Sequence, residues 1–350
     1  MAERYKADLL QRFAHDLLIR SGMPPAMAMD VAEILLEGDL LGHDTHGLAL
    51  LAPYLVEIEK GSMRIDGSYA IVKERPACAL WDGRRLPGPW LCLRALEHAV
   101  GHARQYGTGT VVIRRSHHIA CLAAYLRRAT DQGFVMQLLS SDPNAASVAP
   151  FGGTRAVFTP NPIAFGFPTG ADPVLIDISA SLTTNGMTNR LHRQGKHLAH
   201  TWLLDAEGHA SDDPTVLFED PPGTILPLGG LEAGHKGYGL ALLVEALTGG
   251  LAGFGRSDPK EGWGATVFLQ VIDPEAFGSR REFEREAAWI VGACRSNPPR
   301  PDSGSVRLPG ERGLERRRKQ LQHGIELNAE IMPALAPWAK RHAVPLPAIL

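Results

Sequence analysis

Five short segments carry residues whose chemistry their surroundings do not explain. The first is His43-Asp44-Thr45-His46-Gly47, set between two apolar stretches. An imidazole titrates near neutral pH and can give or take a proton during a reaction. Asp44 or Thr45 can orient such a ring, although either can equally cap the helix that follows. The second segment, Arg115-Ser116-His117-His118, follows the strand-like run Thr110–Ile113. Ligand groups gather past the C-terminal ends of strands in α/β sheets; two exposed loop histidines are the plainer alternative. The third, Ser140-Ser141-Asp142-Pro143, again follows an apolar run. It leads into Pro150-Phe151-Gly152-Gly153 and then Thr159 to Gly166, which includes Asn161-Pro162-Ile163-Ala164-Phe165. Such dense Gly and Pro reads as a rigid loop whose backbone approaches a ligand, or as a pair of turns. A carboxylate at Asp142 beside an imidazole would raise its basicity.

The fourth segment runs from Gly229-Gly230 to Gly234-His235-Lys236-Gly237-Tyr238-Gly239 and into the apolar stretch Leu240–Leu247. A glycine-rich helix start offers free N–H groups and a positive dipole end, where Lys236 is a natural phosphate contact. The same residues also make an ordinary helix start, and neither G-x-G-x-x-G nor the P-loop pattern occurs in the chain. The fifth, Val306-Arg307-Leu308-Pro309-Gly310-Glu311-Arg312-Gly313, is by itself only a turn that places Glu311 near a helix start. A metal set of His43, Asp44 and His46 with His117 or His118 would make a metal-dependent hydrolase or lyase the alternative function. That spacing fits no zinc signature, so no metal is expected there.

These segments need elements to hold them. Leu9, Leu10, Phe13, Leu17 and Leu18 recur at helical spacing, and Pro24-Pro25 opens a second helix with Met27, Val31, Ile34 and Leu35. A third presents Leu51, Tyr54, Leu55 and Ile58. From about residue 68 short apolar runs read as strands: 69–72, 77–81, 110–113, 134–139, 174–178 and 266–272. Helical stretches at 90–106, 119–131 and 239–251 separate them, which argues for an α/β or α+β sheet domain. The tail returns to helix from Glu311, with Arg316-Arg317-Arg318-Lys319 as a solvated helix face beside Glu311 and Glu315 rather than an anion site. Residues 1–68 and 305–350 are therefore expected to form one helical lobe, and 69–304 a sheet domain.

With 36 basic against 38 acidic residues, the charge balance argues against a nucleic-acid or membrane-surface binder. Hydrophobic residues at 44% and charged residues at 21% are those of a folded chain rather than a disordered one. No apolar run is long enough to span a bilayer, and the first 20 residues contain no signal-peptide core. Cys78, Cys92, Cys121 and Cys294 never form C-x-x-C, so neither a disulfide framework nor a zinc ribbon is expected, and the cytoplasm is the default compartment.

Together and in this order, the five segments resemble the type 2 malate/L-lactate dehydrogenase family, over about Leu9 to Pro347. Asp44-Thr45-His46-Gly47, with the later Tyr54, is similar to one family motif, and Ser116-His117-His118-Ile119-Ala120 to a second. Asn161 to Phe165, Asp177-Ile178-Ser179-Ala180-Ser181, Lys236 to Gly239 and Pro309-Gly310-Glu311 resemble four more. The resemblance implies NAD(H) or NADP(H) bound in a fold unrelated to Rossmann, in a dimer whose sites lie near the subunit interface. It implies a hydride moving between nicotinamide and C2 of a 2-hydroxy or 2-oxo acid, or a related imino acid such as a cyclic imine. His118 or His46 would be the acid/base group, with Asp142 in support and Thr45, Tyr54 and His117 beside the substrate. Ser141, Asn161, Pro162, Asp177, Ile178, Ser179, Ser181, His235, Lys236, Gly237, Pro309, Gly310 and Glu311 would hold the cofactor. Leu50 stands where many members carry an arginine that clamps the substrate carboxylate, a bond an alkyl group cannot make. His117 replaces the usual Asn, and Asn185-Gly186-Met187 replaces a segment that often holds a base, which leaves NAD and NADP both open. A member that binds ligand without catalysis is a further alternative.

Overall fold

The computed structural model describes residues 3–350. After a two-residue strand β1 (Arg4–Tyr5) come α1 (Ala7–Arg20) and α2 (Pro25–Leu41). Leu10, Phe13, Ala14, Leu17 and Leu18 lie on one face of α1 and are all buried. Pro25 opens α2 where its missing N–H costs nothing, and Gly42 closes it in the left-handed region at φ 90°. The loop with His43 to Gly47 then leads through a 3-10 turn, Leu48–Leu50, into α3 (Leu51–Glu59).

The chain continues through β2 (Ala70–Arg75), β3 (Cys78–Asp82), α4 (Gly88–Tyr106), β4 (Thr108–Ser116), α5 (Ala123–Thr130), β5 (Val135–Ser141), β6 (Pro162–Phe167) and β7 (Val174–Ser179). Next come α6 (Asn185–Arg193), β8 (Leu203–Leu204), β9 (Ala210–Ser211), β10 (Thr224–Ile225) and α7 (Gly230–Glu245), which passes into a π-turn at Ala246–Gly250. The last elements are β11 (Ala265–Ile272), α8 (Arg280–Arg295), α9 (Glu311–His323), β12 (Ile325–Glu326) and α10 (Ile331–His342).

The main sheet has seven strands in the order β2-β3-β4-β11-β5-β6-β7. Of its neighbouring pairs only β3–β4 is parallel. The strand–helix alternation of the sequence thus builds a mixed, mostly antiparallel sheet. Its central strands are apolar on both faces because both are covered. Val111, Ile113, Leu138, Val267 and Leu269 join the large core with the helices. Their alternates Val112, Leu139 and Phe268 pack with Val244 of α7 and with Ala252. A three-stranded sheet, β10-β8-β9, covers a third core around Val148, Phe158, Leu203 and Ile225.

The two ends of the chain meet. β1 pairs with β12 antiparallel, and α9 packs against α2, where Gln320 Nε2 donates to the carbonyls of Asp39 and Leu40. The large core runs from Tyr5 through the sheet to Val344 without a break. That core crosses the expected boundary between a helical lobe and a sheet domain, and Met1 and Ala2 of that lobe lie outside the described residues.

Several expectations need correction. Pro162–Phe167, read as loop, is the strand β6, because its apolar residues pair with β5 and β7 on either side. α7 begins at Gly230, well before Gly239, so Gly234 to Gly239 lie inside a helix. α8 has no counterpart among the expected helices: only Ala287 and Val291 of it are buried, too thin a stripe to show a period. The basic run on α9 is more than a solvated face. Arg317 pairs with Glu37 of α2 at 2.7 Å and Arg318 with Asp172 at 2.8 Å, while Lys319 pairs with Glu315 as expected. No described helix is long and apolar enough to cross a membrane.

Candidate active site

The first histidine loop is shaped by a carboxylate that sequence reading passed over. Asp39, on the last turn of α2, is buried and accepts the Leu48 N–H at 2.7 Å. Gly47 is obligatory there, since a Cβ would lie 2.4 Å from the Asp39 carboxyl carbon. Burial raises the Asp39 pKa to about 7, against the lowering effect of the Leu48 amide. The loop so held carries Thr45 and His46, with Thr45 Oγ1 2.8 Å from His46 Nδ1. Asp44 turns away to Arg190 of α6, at 3.2 and 3.3 Å.

The second histidine loop leaves the end of β4. Gly88, at the start of α4, comes so close that a Cβ would sit 2.4 Å from the His118 carbonyl oxygen. His118 Nδ1 receives the Ala120 N–H at 3.3 Å and lies 2.9 Å from the Tyr54 hydroxyl of α3. That hydroxyl also donates to the His118 carbonyl at 3.1 Å. With Nδ1 accepting from an amide, the neutral ring keeps its proton on Nε2.

The two loops converge. The His46 and His118 ring centroids are 5.9 Å apart. Trp263, which precedes β11, covers the second loop: its ring lies 4.7 Å from His118, 5.1 Å from His117 and 5.6 Å from Tyr54. His117 is fully buried, its ring nitrogens lack hydrogen-bond partners, and Nε2 stands 3.8 Å from Glu57. Burial pushes His46 down to about 4, with His43 and Arg190 adding to the effect. Burial and then the Arg85 charge do the same to His117, also to about 4. Burial, then His46 and His117, hold His118 well below its ordinary value. Three neutral imidazoles stand together at pH 7, and a proton on one opposes a proton on the next.

Asp142 does not reach this group through hydrogen bonds. Its carboxylate accepts from Asn144 at 2.9 Å and from the Gly264 amide at 3.5 Å, which anchors the turn after Trp263. Arg85 stands beside the site, close enough for its charge to act on His117, although no motif marked it. It donates to the carbonyls of Ser62 and Trp263 at 2.9 and 2.8 Å. With Arg64, Arg84, Arg115 and Glu261 it lines a cleft of about 470 Å³. Arg84, Arg85 and Arg115 all hold left-handed backbones, at φ 49°, 64° and 52°. Such strain persists only where neighbouring structure imposes it. Leu50 lies half-buried against the core and offers no charge.

The remaining segments are held by contacts of their own. Ser141 and Asn161 spend their side chains on one buried network: each donates to Glu245 Oε1 at 2.8 Å, which Arg256 also meets at 2.8 Å. Asp177 accepts the Ala123 N–H at 2.8 Å, and Ser179 and Ser181 bond within their own turn, while Ile178 is exposed. Pro162 begins β6 and pairs with Ser179. Pro309 accepts the Leu175 N–H, and Glu311 accepts from Leu308 and Arg295, so the Pro-Gly-Glu turn docks on β7. His235 and Lys236 are exposed, and no ion pair joins either among the described residues; the Gly237 N–H goes to the Leu228 carbonyl.

The chain matches the malate/L-lactate dehydrogenase family over residues 5–336. It belongs to that family. It is 30% identical to a malate dehydrogenase of Pyrococcus horikoshii, over 97% of this chain and 96% of the relative. It is also 30% identical to an L-lactate dehydrogenase of Cupriavidus necator, over 96% of this chain and 97% of the relative. A solved malate dehydrogenase of Entamoeba histolytica superposes with a TM-score of 0.93 at 26% identity, over 99% of this chain and all of the other. A Δ1-piperideine-2-carboxylate reductase of Pseudomonas syringae superposes at 0.84 and 25% identity, over 96% of this chain and 100% of that one. The protein is an oxidoreductase of the dehydrogenase type, and a hydrolase or lyase built on the histidines is not favoured.

Membership implies a nicotinamide cofactor, and the residues present fit one. α7 breaks at Ala233 (φ −120°, ψ 17°), so a new helical run starts just before His235 and Lys236. A positive helix end beside two exposed, unpaired basic side chains suits phosphate. Asp39, Trp263, Arg85 and Arg190 were missed because no local pattern announces them; a lone acid at the end of an apolar helix was the one signal available.

Proposed function

We propose that this protein is an NAD(P)-dependent dehydrogenase/reductase acting on a 2-hydroxy or 2-oxo acid or a related cyclic imino acid. The observation that carries this reading is the pair of neutral imidazoles, His46 and His118, that meet with Trp263 packed on the His118 ring. A nicotinamide, when bound, supplies or accepts the hydride at the substrate's C2. His118 or His46 holds the proton that goes to or leaves the substrate oxygen or nitrogen. Their mutual opposition lets only one of them carry it at a time, while Tyr54 and Thr45 fix the two rings. Trp263 excludes water from that proton.

Arg85 takes the place of the carboxylate clamp that Leu50 lacks. It is held by two carbonyls, whereas Arg190 is already neutralised by Asp44. His235 and Lys236 receive the cofactor's phosphates, and the Asp177–Ser181 and Asn161–Pro162 segments its remaining surface. α7 exposes Leu231, Leu242 and Leu243, and Leu251 follows beyond the π-turn; a second copy of this chain covers that face in a homodimer. The four cysteines are free, which suits the cytoplasm.

The test follows absorbance at 340 nm with NADH and NADPH against a panel of 2-oxo acids and cyclic imines. Turnover of at least one carboxylate substrate is expected, with Arg85→Gln raising KM at least tenfold and changing kcat less. Absence of turnover across the panel contradicts the reading.

A further inference from the structure

A second histidine cluster stands apart from the active site, between α4 and the sheet edge. His98 and His102 are one helical turn apart on α4, which sets their rings on one face with centroids 4.3 Å apart. Facing them is Glu74 of β2, an edge strand that pairs only with β3. Glu74 Oε1 lies 3.1 Å from His98 Nε2 and 3.7 Å from His102 Nε2.

Those distances are compatible with the donor spacing of a tetrahedral metal site. Zinc–ligand bonds of roughly 2.0–2.1 Å at tetrahedral angles hold their donor atoms roughly 3.3 Å apart. The observed separations bracket that spacing. His98 Nε2 is buried and makes no well-formed hydrogen bond despite its nearness to Glu74. Trp81 packs against the His98 ring at 5.3 Å and Tyr106 against His102 at 5.9 Å, so the two rings are walled into place. The Glu74 side chain stays 43% accessible, which leaves a coordination position open to water.

We propose that Glu74, His98 and His102 bind a divalent transition-metal ion of the zinc class, cross-linking the edge strand β2 to α4. Two imidazoles and one carboxylate suit Zn²⁺, Ni²⁺, Co²⁺ or Cu²⁺ and not Mg²⁺ or Ca²⁺, which require a shell of oxygens. The ligands bind the ion in their unprotonated forms. A further group, His43, Cys121 and Asp177, also clusters within 4.8 Å. It is poorer: burial holds the Cys121 thiol protonated, and Asp177 is committed to the Ala123 amide.

The experiment titrates the full-length protein, stripped with EDTA, with Zn²⁺ by calorimetry and with Co²⁺ by visible absorption. One equivalent binds the native protein and raises its Tm by several degrees. His98→Gln/His102→Gln loses that equivalent, Glu74→Gln weakens it at least tenfold, and Cys121→Ser keeps it. Dehydrogenase activity with and without EDTA stays the same in the native protein and in the Glu74 and double-histidine variants. The metal-free Tm of each variant verifies its fold. No binding by the native protein, or equal binding by the double-histidine variant, overturns the site. Equal binding by Glu74→Gln overturns the three-ligand set.

Discussion

His118 is, with His46, one of the two proposed acid/base groups, and its environment fixes how it responds to pH. A base works unprotonated, and burial beside His46 and His117 keeps this imidazole so well below its usual 6.5. Oxidation of a hydroxy acid should therefore show kcat/KM flat through neutrality, falling only at a pH well under 6.5. A fall centred near pH 7 in a steady-state pH profile contradicts that electrostatic picture. The same groups couple to folding. The folded pKa values of His46 and His117 lie below the unfolded one, so the stability they contribute is present above pH 6.5 and is lost as pH falls toward about 4.

At the scale of elements, Asp39 ties α2 to the loop carrying His46. Its folded pKa is raised from 3.8 to about 7, so the stability of its protonated form is present below 3.8 and lost as pH rises through 7. An amide in place of this carboxyl, as in Asp39→Asn, keeps an acceptor for the Leu48 N–H without that cost. The stability advantage of Asp39→Asn over the native protein should grow from pH 5 to pH 8, by at most ~1.4 kcal/mol per pH unit. A difference that does not vary with pH, measured by calorimetry, contradicts a neutral Asp39. Elements with a strong period were legible in the sequence: α1 and α2 by their apolar stripes, β4, β5 and β11 by their β-branched and leucine runs. α8, with two buried residues, was not, nor was β6, whose Pro and Gly disguise a paired strand. Of the site, the two histidine loops stood out because polar residues there had no packing role. Trp263 and Arg85 did not, because their meaning arises only when β11 folds beside β4.

At the scale of the molecule, one core joins both chain ends to the sheet, so the histidine loops sit on a single packed body. α7 leaves an apolar face open, with Leu242 and Leu243 nearly half exposed at 48% and 45%. Replacing both by Glu should convert a dimer to monomer in sedimentation while leaving the far-ultraviolet circular dichroism unchanged. A native protein that sediments as a monomer at micromolar concentration contradicts the dimer. Because the segment proposed to hold the cofactor, His235–Lys236, lies on the same helix, the monomeric variant should also bind NADH more weakly.

The most direct measurement compares His118→Gln and His46→Gln with the native enzyme in reduction at 340 nm, with cofactor binding followed separately by nicotinamide fluorescence. The account predicts that at least one variant loses ~10²–10⁴-fold in kcat while both still bind the cofactor. Full activity in both variants contradicts it.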